Sequence, residues 1–351
     1  MASSVLATHL QFAFALFGVS VFLAYLILKL GILDKPNHRS SHSRPTPSIG
    51  GISIVGTFAV GLCVIWVISD DARLSTPYML SFSVAVAIIA LVGLIDDIGY
   101  FRSFVFKLGA QVIAALVLVL FGIVLERLSF PLIGQIELGW WGYLVTIVWI
   151  VGLTNIFNFM DGLNGLAGGT AVIAAAFLCT ITYTEGSFFV YIVCYVIAAG
   201  ASGFLIFNFP RARLFMGDVG SQFVGFTFAA LAIIASEIDM SRTSFLIVPM
   251  LFFNFIFDTV FTFCRRAFRR ENVTEAHRGH LYQLLNQLGW SHVRVSCLHF
   301  VMTTIQGGAA LLLIGNGSMD PAMFFMPLLI LYSVYAYVVV SIAGRRGLLT
   351  K

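Results

Sequence analysis

The sequence predicts an all-α polytopic integral membrane protein with about eleven transmembrane helices, its N-terminus periplasmic and its C-terminus cytoplasmic. Three observations carry this prediction. Of 351 residues, 59% are hydrophobic and only 10% are charged, against roughly 25% charged in soluble domains. The mean hydropathy is +0.97. The apolar runs reach about 20 residues, the length of a bilayer-spanning helix and twice that of a barrel strand.

In chain order the predicted spans are 9–32, 49–69, 76–95, 104–125, 139–156, 167–184, 187–207, 219–236, 243–263, 295–315 and 321–342. The first run has no basic segment before it and is long, so it reads as a transmembrane helix and not a cleaved signal peptide. Leu128–Gly139 alternates around a glycine and predicts a short hairpin at the membrane surface. With no internal repeat or low-complexity stretch, residues 1–351 read as a single transmembrane domain. The five cysteines, at 63, 179, 194, 264 and 297, are scattered singly, which indicates neither a disulfide framework nor a zinc site.

Charge distribution orients the chain. Loops 34–48, 96–107, 155–166, 208–221 and 264–294, with the C-terminus and Lys29 at the inner end of the first span, share one side and collect 17 of the 20 Lys and Arg. That side is cytoplasmic by the positive-inside rule. The net charge of +4 therefore reports topology and does not indicate a nucleic-acid partner. The acids divide eight and eight between the sides. Only the inner ones, Asp96, Asp97, Asp161 and Asp218 among them, sit in apolar or glycine-rich surroundings, where a charge is costly unless it has a function.

Five polar islands punctuate the inner face. Asp34–Gly51 holds Lys35, His38, Arg39, His42 and Arg44, a cationic loop suited to a nucleotide or lipid phosphate. Asp96 and Asp97 end a span, where the helix dipole disfavours acids, so a metal, Lys107 or Arg102 must offset them. Asn155, Asn158, Asp161 and Asn164 recur every three residues and trace a slanting face rich in carbonyl and carboxylate oxygen. Asp218 lies in NFPRARLFMGDVGS, in a turn that leads into a helix and can ligate a hard cation. His277, Arg278, His280, Tyr282 and Gln283 fall in the largest loop and offer donors for phosphate or sugar. Asp258, in the middle of a span, requires a polar partner. Acids for a divalent metal, cations for phosphates and amides for a polar ligand together describe phosphoryl transfer. A multi-span transporter or lipid-linked sugar flippase is the alternative, weakened because the polar groups cluster on one side.

From Asp34 to about Gln283 these islands resemble, in order, the polyprenyl-phosphate N-acetylhexosamine-1-phosphate transferases. The resemblance rests on the Asp96–Asp97 pair, an NxxNxxDGxDGL-type loop at Asn155–Leu166 and an FMGDxGS motif complete at Phe215–Ser221. The family's second loop Asp is here Asn164. The late motif, His277–Gln283, retains Arg278 and His280 and is similar to the subgroup that initiates O-antigen-type polysaccharides, not to the peptidoglycan enzyme.

The resemblance implies a bacterial inner-membrane enzyme that moves N-acetylhexosamine 1-phosphate from a UDP-sugar to undecaprenyl phosphate and releases UMP. It implies Mg²⁺, with Mn²⁺ as a substitute, on Asp218 and Asp97. Asp96, Asp97, Lys107 and His280 are then catalytic. Arg39, His42, Asn155, Asn158, Asp161, Asn164, Phe215 and Arg278 are then substrate contacts. Direct attack by the lipid phosphate and a covalent Asp intermediate both stay open. The expected partners are UDP-GlcNAc or a deoxy derivative, undecaprenyl phosphate and membrane lipids, with a homodimer allowed.

Overall fold

A computed structural model describes residues 2–31, 33–34, 46–68, 74–100, 103–130, 134–239, 243–272, 275, 277–316 and 321–349. The helices in chain order are α1 (Ala2–Leu30), α2 (Gly51–Ile68), α3 (Thr76–Ile98), α4 (Phe104–Leu120), α5 (Trp141–Met160), α6 (Leu166–Glu185) and α7 (Phe188–Asn208). They continue with α8 (Gly217–Ile233), α9 (Ile247–Leu251), α10 (Phe253–Phe268), α11 (Leu281–Gln287), α12 (His292–Asn316) and α13 (Phe325–Arg345). A π-helical continuation of α8 at Ile234–Ile238, a 3-10 turn at Pro321–Phe324 and two small antiparallel strand pairs complete the described elements. One pairs β1 (Leu33–Asp34) with β2 (Thr46–Pro47), and the other pairs β3 (Arg127–Phe130) with β4 (Gly134–Glu137). The second is the hairpin expected from the alternation at 128–139, with Arg127 opposite Glu137.

This is an all-α membrane protein. Eight of the described helices are long and apolar enough to cross a bilayer, and Gly51–Val67 and Phe104–Leu120 are shorter apolar helices. The ninth expected span, 243–263, is not a continuous helix. It is divided at Phe252 into the single turn-and-a-half of α9 and the longer α10. The reason lies in the core. Phe252 is fully buried and its ring packs edge-on against Phe228 of α8 and Phe157 of α5, with centroids 4.8 and 5.7 Å apart. Beyond the break α10 carries Asn254, Asp258, Arg265 and Arg266 and is strongly two-faced, unlike the uniformly apolar helices around it.

Helix α8 is the axis of the molecule. Every residue from Val219 to Ala235 is buried, which its all-round apolar sequence allows. It packs against α2, α3 and α5; α6 pairs with α7 and α12, and α1 with α2 and α7. Close approach needs small residues at the crossings. At the α2–α8 crossing Gly51 faces Gly220, and a Cβ built on Gly51 would stand 2.3 Å from the Gly220 Cα. Backbone therefore meets backbone here. Gly51→Val should destabilise the protein by about 1–3 kcal/mol, the cost of overpacking a site that cannot yield. A fall in the unfolding temperature of detergent-purified protein would report it; an unchanged one would mean that α2 is free to shift.

Candidate active site

The FMGD turn sits where α2, α3 and α8 converge, and backbone holds it on both sides. Phe215 N–H donates to Pro47 O (2.7 Å), Gly50 N–H to Phe215 O and Gly51 N–H to Met216 O (both 2.8 Å). Gly217 has φ +72°, and its absent Cβ would stand 2.1 Å from Ser48 O and 2.5 Å from Asp97 Oδ2. Only glycine meets both conditions. Asp97 accepts backbone N–H bonds from Asp218 on Oδ1 (2.9 Å) and from Val219 on Oδ2 (3.0 Å).

This geometry leaves the Asp218 side chain at the centre of a polar network. Lys107 Nζ bridges Asp218 Oδ2 (2.8 Å) and Asp96 Oδ2 (3.1 Å). Asn158 Nδ2 donates to Asp218 Oδ1 (3.0 Å) and to Ser221 Oγ (2.9 Å). Gln222, one turn after Asp218, donates to Oδ2 (2.8 Å). Behind it lies a buried amide relay, in which Gln111 Nε2 donates to Gln222 Oε1 (3.0 Å) and Asn155 Nδ2 to Gln111 Oε1 (2.6 Å). Asn155 and Asn158 thus use their amides to hold the Asp218 cluster together.

Two oxygen sets stay unsatisfied. Asp96 Oδ1 is buried without a hydrogen-bond partner. Asp161, in the turn after α5, makes no side-chain hydrogen bond among the described residues. Burial, and after it the negative charges of Asp218 and Asp97, pushes its carboxyl well above the usual carboxylate range. Asp96 and Asp218 thus share one lysine while Asp161 feels the negative charges of Asp218 and Asp97, an imbalance that a hard cation corrects. No three His, Cys, Asp or Glu among the described residues form a ready-made metal cage. Mg²⁺ does not require one, since it takes one or two carboxylates and fills its shell with water and substrate phosphate. The donor set, all oxygen with an orphan carboxylate oxygen, fits that ion.

The late motif builds a second cluster. Asp258 is fully buried and accepts from Leu281 N–H (2.9 Å), Tyr282 N–H (3.0 Å) and Thr262 Oγ1 (3.2 Å), with His280 Nδ1 at 3.2 Å. The polar partners expected for Asp258 are therefore the start of α11 and the His280 ring. His277 stacks on His280, with ring centroids 5.0 Å apart. Burial first, then His280 and two arginines, lowers the His277 pKa to about 4, so its ring is neutral at physiological pH. Arg278 pairs with no acid among the described residues, and its Nε is buried without a partner. Tyr282 joins the two clusters: its hydroxyl donates to Phe159 O (2.9 Å) and packs against Gly162 beside Asp161.

Asn164 lies apart from the acids. Its side chain reaches Pro210 O (3.2 Å) and His292 Nδ1 (3.0 Å), and its carbonyl accepts from Ser296 Oγ (2.8 Å). Phe215 is half-buried and held through its backbone. Arg39 and His42, with Lys35, His38, Arg44 and Arg102, lie outside the described residues. The sequence reading missed Gln111, Gln222 and Ser221. A signal existed: Gln111 and Gln222 follow Lys107 and Asp218 by four residues, one helical turn, inside otherwise apolar runs.

The structure defines a membrane-embedded protein with an acid- and amide-lined centre at one end of its helices. The glycosyl transferase family 4 model matches residues 79–236, which contain that centre. The chain is 30% identical over 275 residues to the probable undecaprenyl-phosphate N-acetylglucosaminyl 1-phosphate transferase of Bacillus subtilis, covering 78% of this chain and 74% of that one. It is 31% identical to the decaprenyl-phosphate N-acetylglucosaminephosphotransferase of Mycobacterium leprae, covering 84% and 78%. The phospho-N-acetylmuramoyl-pentapeptide-transferase of Listeria monocytogenes serovar 1/2a is 30% identical, over 64% of this chain and 73% of its own. The chain belongs to glycosyl transferase family 4.

The raised Asp161 carboxyl has a stability consequence. Below the ordinary carboxylate value of 3.8 both folded and unfolded chains hold the proton, and no cost arises. As pH rises above it the unfolded chain ionises first, so the fold loses stability until Asp161 also ionises. Asp161→Asn should therefore raise the unfolding temperature at about pH 8 in metal-free buffer and leave it nearly unchanged near pH 3. A gain of equal size at both values would show that the carboxyl is not strained.

Proposed function

We propose that the chain transfers N-acetylhexosamine 1-phosphate from a UDP-sugar to undecaprenyl phosphate, releasing UMP, at the cytoplasmic face of a bacterial inner membrane. The observation that carries this reading is the Asp218 centre, where Asp218 and Asp96 share Lys107 close to Asp97 and Asp161, and Arg278, which pairs with no acid among the described residues, follows beyond the Tyr282 link. Pyrophosphate chemistry needs this balance of a cation-hungry pole and a cationic pole. The relatives' names, two of which specify an N-acetylglucosamine phosphate and a polyprenyl phosphate, support the substrate class. The excess of Lys and Arg on the loops that carry the site supports the orientation.

The acceptor phosphate has a second pKa of about 6 and is largely a dianion at neutral pH. It can attack the β-phosphorus in line without a strong base, which makes direct attack the simpler course. Asp218, with the free oxygens of Asp96 and Asp161, would hold Mg²⁺, or Mn²⁺ in its place, and a bound divalent ion there neutralises the pyrophosphate. Lys107 keeps Asp96 and Asp218 from repelling one another and has a third N–H for a phosphate oxygen. Arg278 offers a guanidinium to the leaving nucleotide's phosphate. Asp258 accepts from His280 Nδ1 and so orients that ring as a further charge stabiliser. A cavity of about 320 Å³ between α2 and α3, lined by Val55, Phe58, Leu62, Trp66 and Val86 and floored by Phe223 of α8, suits an apolar tail. Retention of Arg278 and His280 in the form His-Arg-Gly-His favours an N-acetylhexosamine over a muramoyl-pentapeptide donor, and with it the initiation of O-antigen or another envelope polysaccharide.

Membranes incubated with labelled UDP-GlcNAc and undecaprenyl phosphate should yield labelled lipid and free UMP. UDP as the released nucleotide would mean simple glycosyl transfer, and no product from any donor in a UDP-sugar panel would favour a transporter. Asp218→Asn should cost at least about 10²-fold in turnover, the scale of one lost electrostatic contact in a protected site, without loss of membrane insertion. Normal turnover at saturating Mg²⁺ would remove Asp218 from the metal site.

A further inference from the structure

Adjacent acids look interchangeable in sequence, yet the fold gives Asp96 and Asp97 different tasks. Neighbouring residues of a helix point about 100° apart. Asp96 turns toward Lys107 and keeps one oxygen unpartnered. Asp97 turns toward α8 and has both oxygens occupied by the N–H groups of Asp218 and Val219. Those N–H groups belong to a helical first turn, which has no intrahelical carbonyl to receive them. The residue at the N-cap position is Met216, which provides no side-chain cap. A carboxylate 121 residues away in sequence supplies it.

Two further contacts show that the join is close. One turn before Asp97 on α3, a Cβ on Gly93 would stand 2.7 Å from the Val219 Cα, so the α3 backbone rests on the first turn of α8. On the other side the Gly217 Cβ position is 2.5 Å from Asp97 Oδ2, so the carboxylate fits only because residue 217 has no side chain. Meanwhile the side chain of Asp218 is fixed by α4 and α5, through Lys107 and Asn158. Its backbone is fixed by α3, through Asp97.

We infer that Asp97 is a positioning residue, which clamps the N-terminus of α8 to α3 and so places Asp218, and is neither the proton acceptor nor a metal ligand. The role demands an acceptor oxygen at a fixed distance. Asparagine keeps one such oxygen at the right length and is a good helix cap. Glutamate keeps the charge but adds a methylene, about 1.5 Å of reach, which drives the carboxylate into Gly217. A base or metal ligand would show the opposite preference, since only glutamate preserves ionisation.

The turnover arm of the test rests on the transferase reading; the exchange arm does not. Asp97→Asn, Asp97→Glu and Asp97→Ala are compared with the parent in purified full-length protein. For Asn, kcat should fall less than about tenfold. For Glu and Ala it should fall by about 10²-fold, the scale of an ångström-level misplacement, with KM for the acceptor nearly unchanged in all three. Gly217→Ala should match Asp97→Glu. Glutamate equal to or better than asparagine, or asparagine as inactive as alanine, would overturn the assignment. Hydrogen exchange read at residues 218 and 219 should be slow in parent and Asn and faster in Ala; unchanged exchange in Ala would also overturn it. If Ala is not recovered folded, the Asn and Glu comparison decides. A parent that forms no lipid-linked sugar phosphate overturns the transferase reading alone, and the exchange order still decides the role of Asp97.

Discussion

The start of α8 is the constraint on which the rest of the molecule depends. It brings the carboxylate of Asp218 and the unpaired N–H groups of a helical first turn together at the edge of an apolar bundle. Each is expensive to leave unsatisfied there. The surrounding elements answer that cost in turn: Asp97 for the backbone, Lys107, Asn158 and Gln222 for the carboxylate, Pro47 and Gly50–Gly51 for the turn before it. The small residues at the crossings follow from the same demand, because these bonds form only if α2 and α3 approach α8 at backbone distance.

The second cluster repeats this logic on a smaller scale. Asp258 caps α11 from α10 as Asp97 caps α8 from α3, each accepting two consecutive backbone N–H groups from a helix it does not belong to. Both caps place a motif side chain, Asp218 in one case and His280 in the other. Tyr282 ties the two assemblies through the carbonyl at the end of α5, so the loop that carries Arg278 is anchored on the turn that carries Asp161.

Much of this was legible in the sequence. Long apolar runs announced the spans, and acids in apolar or glycine-rich settings marked Asp96, Asp97, Asp161, Asp218 and Asp258 as residues with work to do. What stayed hidden follows from how a sequence encodes partners. The break at Phe252 was invisible because 243–263 is apolar enough overall for one helix, and only the packing of Phe252 against α5 and α8 ends it. The difference between Asp96 and Asp97 depends on which helix faces each, which adjacency cannot reveal. Asn155 and Asn158 were recognisable as polar residues in an unusual place, but their choice of Gln111 and Asp218 as partners is set by crossings far apart in the chain.

The chain from Val219 to Ala235 is enclosed by its neighbours. The helices that ring it are locked to it by backbone contacts or buried hydrogen bonds, while Asp218, just before that stretch, keeps 22% of its side chain exposed. The core that positions the centre is therefore insulated from the membrane around it, while the acids stay open to substrate. Acyl-chain length, fluidity and headgroup composition should alter how an acceptor lipid arrives far more than they alter the acids awaiting it.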